Sequence, residues 1–176
     1  MEIGNQLRNE AVQITKELGD ITFVGAVAVY FHTKGNRSRG TRDLDFAVAT
    51  KIPDDQLLEK GYKIFEERGK KVIRTLRGFK IDIYSKDVGG IPVQDIIHRA
   101  KTISADKRGN KIKVASLEDL IITKHRASRE QDSEDLYEIA KTKLHEINWQ
   151  LLQSITKSEL EFSEIKTTMN ANYKIK

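Results

Sequence analysis

The chain is 176 residues long, carries a formal net charge of +5 and contains no cysteine, which excludes disulfides, thiolate zinc sites and cysteine nucleophiles. With 38% hydrophobic and 32% charged residues and only two prolines, it can bury one ordinary core and is not a disordered tract. Residues 1–5 are acidic and polar where a signal peptide would be basic and then apolar, and no apolar run approaches membrane-spanning length. The expectation is therefore a cytoplasmic protein with no membrane partner. A pI near 9.3 favours encounters with anions, nucleotides or nucleic acid among them.

Ile3, Leu7, Ala11, Ile14 and Leu18 recur at helical spacing and Gly19 follows as a stop, so residues 2–18 read as an amphipathic helix. Residues 21–24 read as a strand that runs into Gly25-Ala26, a tight turn before a short apolar helix over 27–31. The loop 34–42 holds Lys34, Arg37, Arg39 and Arg42 and no acid. A strand follows over 43–49, then a helix opened by Pro53 with Asp54 and Asp55 that runs to about Lys60. Residues 72–76 and 79–84 read as a hairpin joined near Gly78. From Asp95 the pattern is mainly helical, interrupted by a turn near 107–110 and a short extended piece over 112–114. Ser116 and Asp119 have the spacing of a capping box, which opens a helix through Lys124 towards Arg129. Leu136, Ile139, Ala140 and Leu144 continue its stripe, Trp149, Leu151, Leu152 and Ile155 form a further helix, and the end from about Thr167 is expected to fray. These elements predict an α/β (α+β) fold, with a mixed sheet flanked by helices in residues 1–100 and a mainly helical portion over 101–176 packed on it.

The residues with most chemical content are Asp43, Asp45 and Asp82. In a strand, Asp43 and Asp45 face one way while Leu44, Phe46 and Val48 face the other. Two carboxylates so close repel unless a divalent cation or a shared proton relieves them. Asp82 points away from the apolar face made by Phe79, Ile81 and Ile83, so three acids can converge above one sheet. His32, His98, His125 and His145 have no metal-ligand spacing.

The ordered series Phe23-Val24-Gly25-Ala26, Arg42-Asp43-Leu44-Asp45-Phe46 and Lys80-Ile81-Asp82-Ile83 resembles the signature of the nucleotidyltransferase superfamily, the fold shared by DNA polymerase beta and the aminoglycoside nucleotidyltransferases. That signature is a Gly-Gly or Gly-Ser turn, an Asp-x-Asp or Asp-x-Glu pair and a third aspartate on a neighbouring strand. The chain departs from it at Ala26, where a serine is frequent, and in the long basic spacer before Asp43. Residues 114–120, with Lys124, Ala127, Arg129, Asp132 and Asp135, are similar to the helix after the core in the small prokaryotic branch of AbiEii-type toxins.

The resemblance implies a magnesium-dependent transferase of toxin-antitoxin or defence type. Asp43, Asp45 and Asp82 would hold two Mg2+ ions (Mn2+ an alternative), with Asp82 also the candidate base. Gly25, Ala26, Arg42 and Lys124 would meet a nucleoside triphosphate such as ATP, with Arg39 beside Arg42 and with Asp132 and Asp135 fixing Lys124 or lining the cleft. The acceptor would be an RNA end, a protein or a small hydroxylated molecule. Two other readings stand beside this one. The first is a non-catalytic nucleotide- or protein-binding module of the same fold, a component of a toxin-antitoxin or defence system, and the second a nucleic-acid surface formed by the basic loop, whose binding would fall steeply with salt.

Overall fold

A computed structural model describes residues 2–35 and 40–174, with side chains described from Gly4 onward in these ranges. Arg37 and Arg39 lie outside the described residues. Helix α1 (Glu2–Leu18) buries Leu7, Ala11 and Ile14 and ends at Gly19, whose amide still bonds back to the Thr15 carbonyl at φ +80. Strand β1 (Ile21–Phe23) leads through Val24 into α2 (Gly25–His32), in which Ala26, Val27, Ala28 and Val29 are all buried. A helix apolar on every face has to be sandwiched, and α2 packs between strand β2 (Asp43–Val48) and helices α5 (Leu117–Ala127) and α6 (Glu130–Lys143).

After α3 (Asp54–Glu59), β3 (Lys63–Glu67), β4 (Lys70–Arg74) and β5 (Lys80–Tyr84) form an antiparallel meander. The expected hairpin around Gly78 is present, and the edge strand β3 is an addition. Its turn, Arg68-Gly69, has both residues at positive φ, the primed geometry that matches strand twist. A small hairpin of β6 (Asp87–Val88) and β7 (Ile91–Pro92) precedes α4 (Val93–Arg99). Next come β8 (Lys101–Ser104) and β9 (Lys111–Val114). The sheet order is β3-β4-β5-β2-β1-β9-β8, with β2 parallel to β5 and β1 parallel to β9. The sheet thus continues past residue 100, and the wholly helical part begins at Leu117.

The expectation of mainly helical structure from Asp95 is corrected at β8, whose four residues are too few for their alternation to be read. The turn near 107–110 is present, organised by Asp106, whose carboxylate accepts from the amides of Arg108 and Asn110. The end from Thr167 does not fray either. After a 3-10 turn (Leu144–Glu146) and α7 (Trp149–Ile155), α8 (Glu159–Lys174) holds through that region, with Ile165 and Met169 buried and α6 as its main neighbour. Among the described residues no helix is long and apolar enough to cross a membrane.

Candidate active site

The parallel pairing of β2 with β5 sets the geometry of the acids. Asp43 stands opposite Lys80, and Asp45 opposite Asp82. Residues two apart on a strand share a face, so Asp43, Asp45, Lys80, Asp82 and Tyr84 all present to one side, where they line a cleft of about 900 Å³. On the other side Leu44, Phe46 and Ile81 are buried in the core. The third aspartate is therefore beside the first two, on the solvent-facing side of the sheet.

Gly25 closes the floor of the cleft. Its φ is +60, and a Cβ added there would lie 2.5 Å from Asp45 Oδ2. The Val24 amide donates to the Asp45 carbonyl at 2.9 Å, which holds the turn against β2. Gly25 thus has a role the sequence did not suggest, giving the Asp45 carboxylate room as well as exposing backbone amides at the start of α2. Ala26 follows it in the lining, and Arg42 stands at the rim beside Asp43. Among the described residues the Arg42 guanidinium has no acidic partner.

Asp45 is pushed up to about 6, first by loss of solvent and then by the charges of Asp82 and Asp43, which Lys124 and Lys80 only partly offset. An acid raised in this way is easier to keep protonated in the fold than in the unfolded chain, so its ionisation works against folding as pH rises from about 4 through 6. Tyr84 is raised to about 12 by burial and by the same two aspartates, Asp45 and Asp82. The three aspartates offer oxygen donors only, and their negative charge is only partly compensated, which suits a hard divalent cation such as magnesium. As the side chains stand, however, no three His, Asp or Glu groups among the described residues are arranged to hold one ion. The cause at Asp82 is visible: Lys80 Nζ donates to its Oδ2 at 2.7 Å.

Lys124 is held by Asp132 and Asp135, one of the two arrangements the resemblance implies, but by a different route from one continuous helix. The stripe from Lys124 past Leu136 reads in the sequence as one continuous helix. The helix breaks instead at Ser128, which sits at φ +50 as the left-handed cap of α5. Lys124, Asp132 and Asp135 come together because α6 folds back on α5. Lys124 Nζ is buried and bonded to Asp132 Oδ1 at 2.8 Å and to Asp135 Oδ2 at 2.7 Å. Arg129 donates to Asp132 from outside, with Nε to Oδ2 at 2.7 Å, and its charge also reaches Asp45 and Tyr84. Lys124 lines the cleft as a charge fixed by two aspartates, which engage two of its three N–H donors, while Arg129 is the more exposed cation on that wall.

Lys80, Tyr84, Arg126, Arg129, Lys157 and the pair Gly89-Gly90 also line the cleft. Lys80 and Tyr84 were within reach of sequence reasoning, since each lies two residues from Asp82 on a strand. Lys157 carried no signal, because only the packing of α8 brings it near. The Ser116 cap forms as its spacing suggested, with Ser116 Oγ accepting from the Asp119 amide at 3.1 Å. The Asp119 carboxylate is held in addition by Arg99 of α4, at 2.7 to 3.2 Å.

Residues 5–176 match the family model described as "Nucleotidyltransferase of unknown function (DUF6036)". The chain belongs to this family. Solved structures carry the same nucleotidyltransferase fold. A protein of Helicobacter pylori assigned to the nucleotidyltransferases matches with a TM-score of 0.55 at 17% identity, over 97% of this chain and 93% of its own. JHP933 from Helicobacter pylori matches at 0.54 and 18%, over 96% and 92%. An antigenic nucleotidyltransferase-like protein from Paracoccidioides brasiliensis matches at 0.52 and 14%, over 95% and 93%. No curated protein matches the chain. At these identities the solved structures speak for the nucleotidyltransferase fold alone, and the family match supports a transferase role in general terms.

Proposed function

We propose that the cleft catalyses transfer of a nucleoside monophosphate from a nucleoside triphosphate to a hydroxyl acceptor, with magnesium as the resident cation. The observation that carries this reading is the register of β2 on β5, which sets Asp45 beside Asp82 and Asp43 on the same face, over the bare backbone of Gly25. Asp43, Asp45 and Asp82 are the groups that would hold two divalent ions. When bound, such ions neutralise the triphosphate and the leaving pyrophosphate, a chemistry suited to in-line displacement.

The chain's own groups do the remaining work. Arg42, whose guanidinium has no acidic partner among the described residues, offers its fork to the phosphates. Gly25 and Ala26 line the cleft at the first turn of α2, where amides have no intrahelical partner, so backbone donors serve where a serine hydroxyl is missing. The acceptor oxygen forms its bond to the α-phosphorus as the α–β bridging bond breaks, and Asp82 takes the acceptor's proton. Lys80 Nζ orients the Asp82 carboxylate through its hydrogen bond to Oδ2 at 2.7 Å. ATP is a reasonable donor. The likeness of the Lys124 to Asp135 region to AbiEii-type toxins favours an RNA end or a protein as acceptor, and a toxin-antitoxin or defence setting.

The test is incubation with labelled nucleoside triphosphates, magnesium and cell extract, comparing wild type with Asp43→Ala. Transfer of label by the wild type alone is expected, and equal labelling by both would remove the proposal. The Lys80–Asp82 ion pair favours one second reading, a nucleotide-binding module without turnover. Triphosphate binding that persists without magnesium, with no pyrophosphate released, would select it.

A further inference from the structure

Strand β3 ends the sheet, and among the described residues no strand pairs with its outer side. Sheets commonly blunt such an edge with a proline or a bulge. β3 has neither: its five residues keep an unbroken register on β4. Its Phe65 is 41% exposed. Leu58 in the last turn of α3 and Leu76, 3.5 Å from a Cβ placed on Gly61, are exposed apolar side chains near its start.

The two-residue turn Arg68-Gly69 fixes which backbone groups are free. Its closing pair, Glu67 and Lys70, exchanges both bonds, so Lys63, Phe65 and Glu67 spend their amides and carbonyls on β4. Ile64 and Glu66 therefore turn theirs outward. A second copy of β3, added antiparallel, meets those groups when Ile64 of each copy faces Glu66 of the other. That register sets Phe65 against Phe65 of the second copy, in the kind of pair whose side chains lie closest. It also sets Lys63 against Glu67 twice. Lys63 has no acidic partner among the described residues, and the nearest cation to Glu67, Arg74 Nη2, is 4.0 Å away. The adjacent registers lose both pairs, one setting Glu66 against itself and the other Lys63 against Phe65. The opposite edge, β8, carries Lys101 and no acid, so it has no such match with itself.

We infer that β3 is the interface of a homodimer, in which a two-fold axis normal to the sheet at Phe65 joins two seven-stranded sheets into one. Lys63 faces Arg74, Arg74 faces Lys80 and Lys80 faces Asp43, so the side of β3 that bears Phe65 is the side that bears the acids. Both clefts then open on one surface. Their Asp82 residues stand five strand spacings apart, about 24 Å along the sheet. The dimer does not depend on the transferase reading, and its test does not use activity.

The test is sedimentation velocity on the full chain over a range of protein concentrations, with hydrogen exchange of the Ile64 and Glu66 amides followed by NMR. A reversible monomer–dimer equilibrium is expected, and both amides exchange more slowly as dimer forms. Lys63→Glu and Glu67→Lys each set like charges opposite one another twice, so each variant alone is expected to dimerise about tenfold more weakly. An equimolar mixture of the two restores both pairs in the heterodimer, and association close to that of the wild type is expected. A misfolded variant could not give that recovery. Monomer at every concentration overturns the inference. So does a dimer whose Ile64 and Glu66 amides stay unprotected, or a mixture that associates no more tightly than its parts.

Discussion

Gly25 and Lys80 show how single residues set the chemistry of the cleft. A methyl group at Gly25 would meet Asp45 Oδ2 at 2.5 Å in a backbone conformation that L-residues avoid. Gly25→Ala is expected to lower stability by about 1 to 3 kcal/mol and to remove Mn2+ binding, read by electron paramagnetic resonance. Retention of wild-type Mn2+ affinity would show that Asp45 does not depend on this space. Lys80 competes with any cation for Asp82, since its ammonium sits 2.7 Å from Oδ2. Lys80→Met is expected to tighten Mn2+ binding about tenfold, equivalent to about 1.4 kcal/mol, while losing transfer activity. Unchanged affinity would mean that the pair and the cation do not share the carboxylate. The identity of the acids was legible from alternation and spacing alone, because strand geometry fixes which side chains share a face. The Lys80 pair and the Gly25 contact were not legible, because both depend on which strand lies next to which.

At the scale of elements, the α5–α6 break and the α5–α8 clasp matter most. Lys124 is buried with Asp132 and Asp135, so Lys124→Met would strip two buried carboxylates of their shared cation. The expected loss is about 3 to 5 kcal/mol in urea unfolding. Reduced activity in such a variant therefore has to be separated from unfolding, and a loss below about 1 kcal/mol would mean that the triad is solvated. The Arg126–Glu161 pair ties α8 to α5. Glu161 is lowered from 4.5 to about 2, so its contribution is present above pH 4.5 and is lost as pH falls through about 2. Glu161→Gln should flatten the acid limb of the stability profile between those values, and a profile parallel to wild type would contradict the clasp. Helices α1 and α7 were readable from their stripes, α1 to its last residue. Strand β8 and the run of α8 past Thr167 were not, since the first is too short to show a period and the second is stabilised by packing against α6.

At the scale of the molecule, ionised Asp45 works against the fold that holds it. Asp45 sits under the repulsion of Asp43 and Asp82. Asp45→Asn is therefore expected to raise the melting temperature of the ligand-free protein at pH 7. It should also abolish the rise that magnesium and a nonhydrolysable triphosphate give the wild type, worth about 2.7 kcal/mol at a hundredfold excess over Kd. A ligand-induced rise that survives in the variant would take Asp45 out of the site. The sequence by itself determined the fold class and the acids on one strand face, because periodicity and alternation are local properties of the chain. The tertiary structure alone decided the rest. Parallel register set Asp45 against Asp82, the fold-back at Ser128 buried Lys124 between two aspartates, and the packing of α8 brought Lys157, just before it, into the cleft lining. Such contacts join residues far apart in the chain, and their free energy comes from burial that no local pattern records.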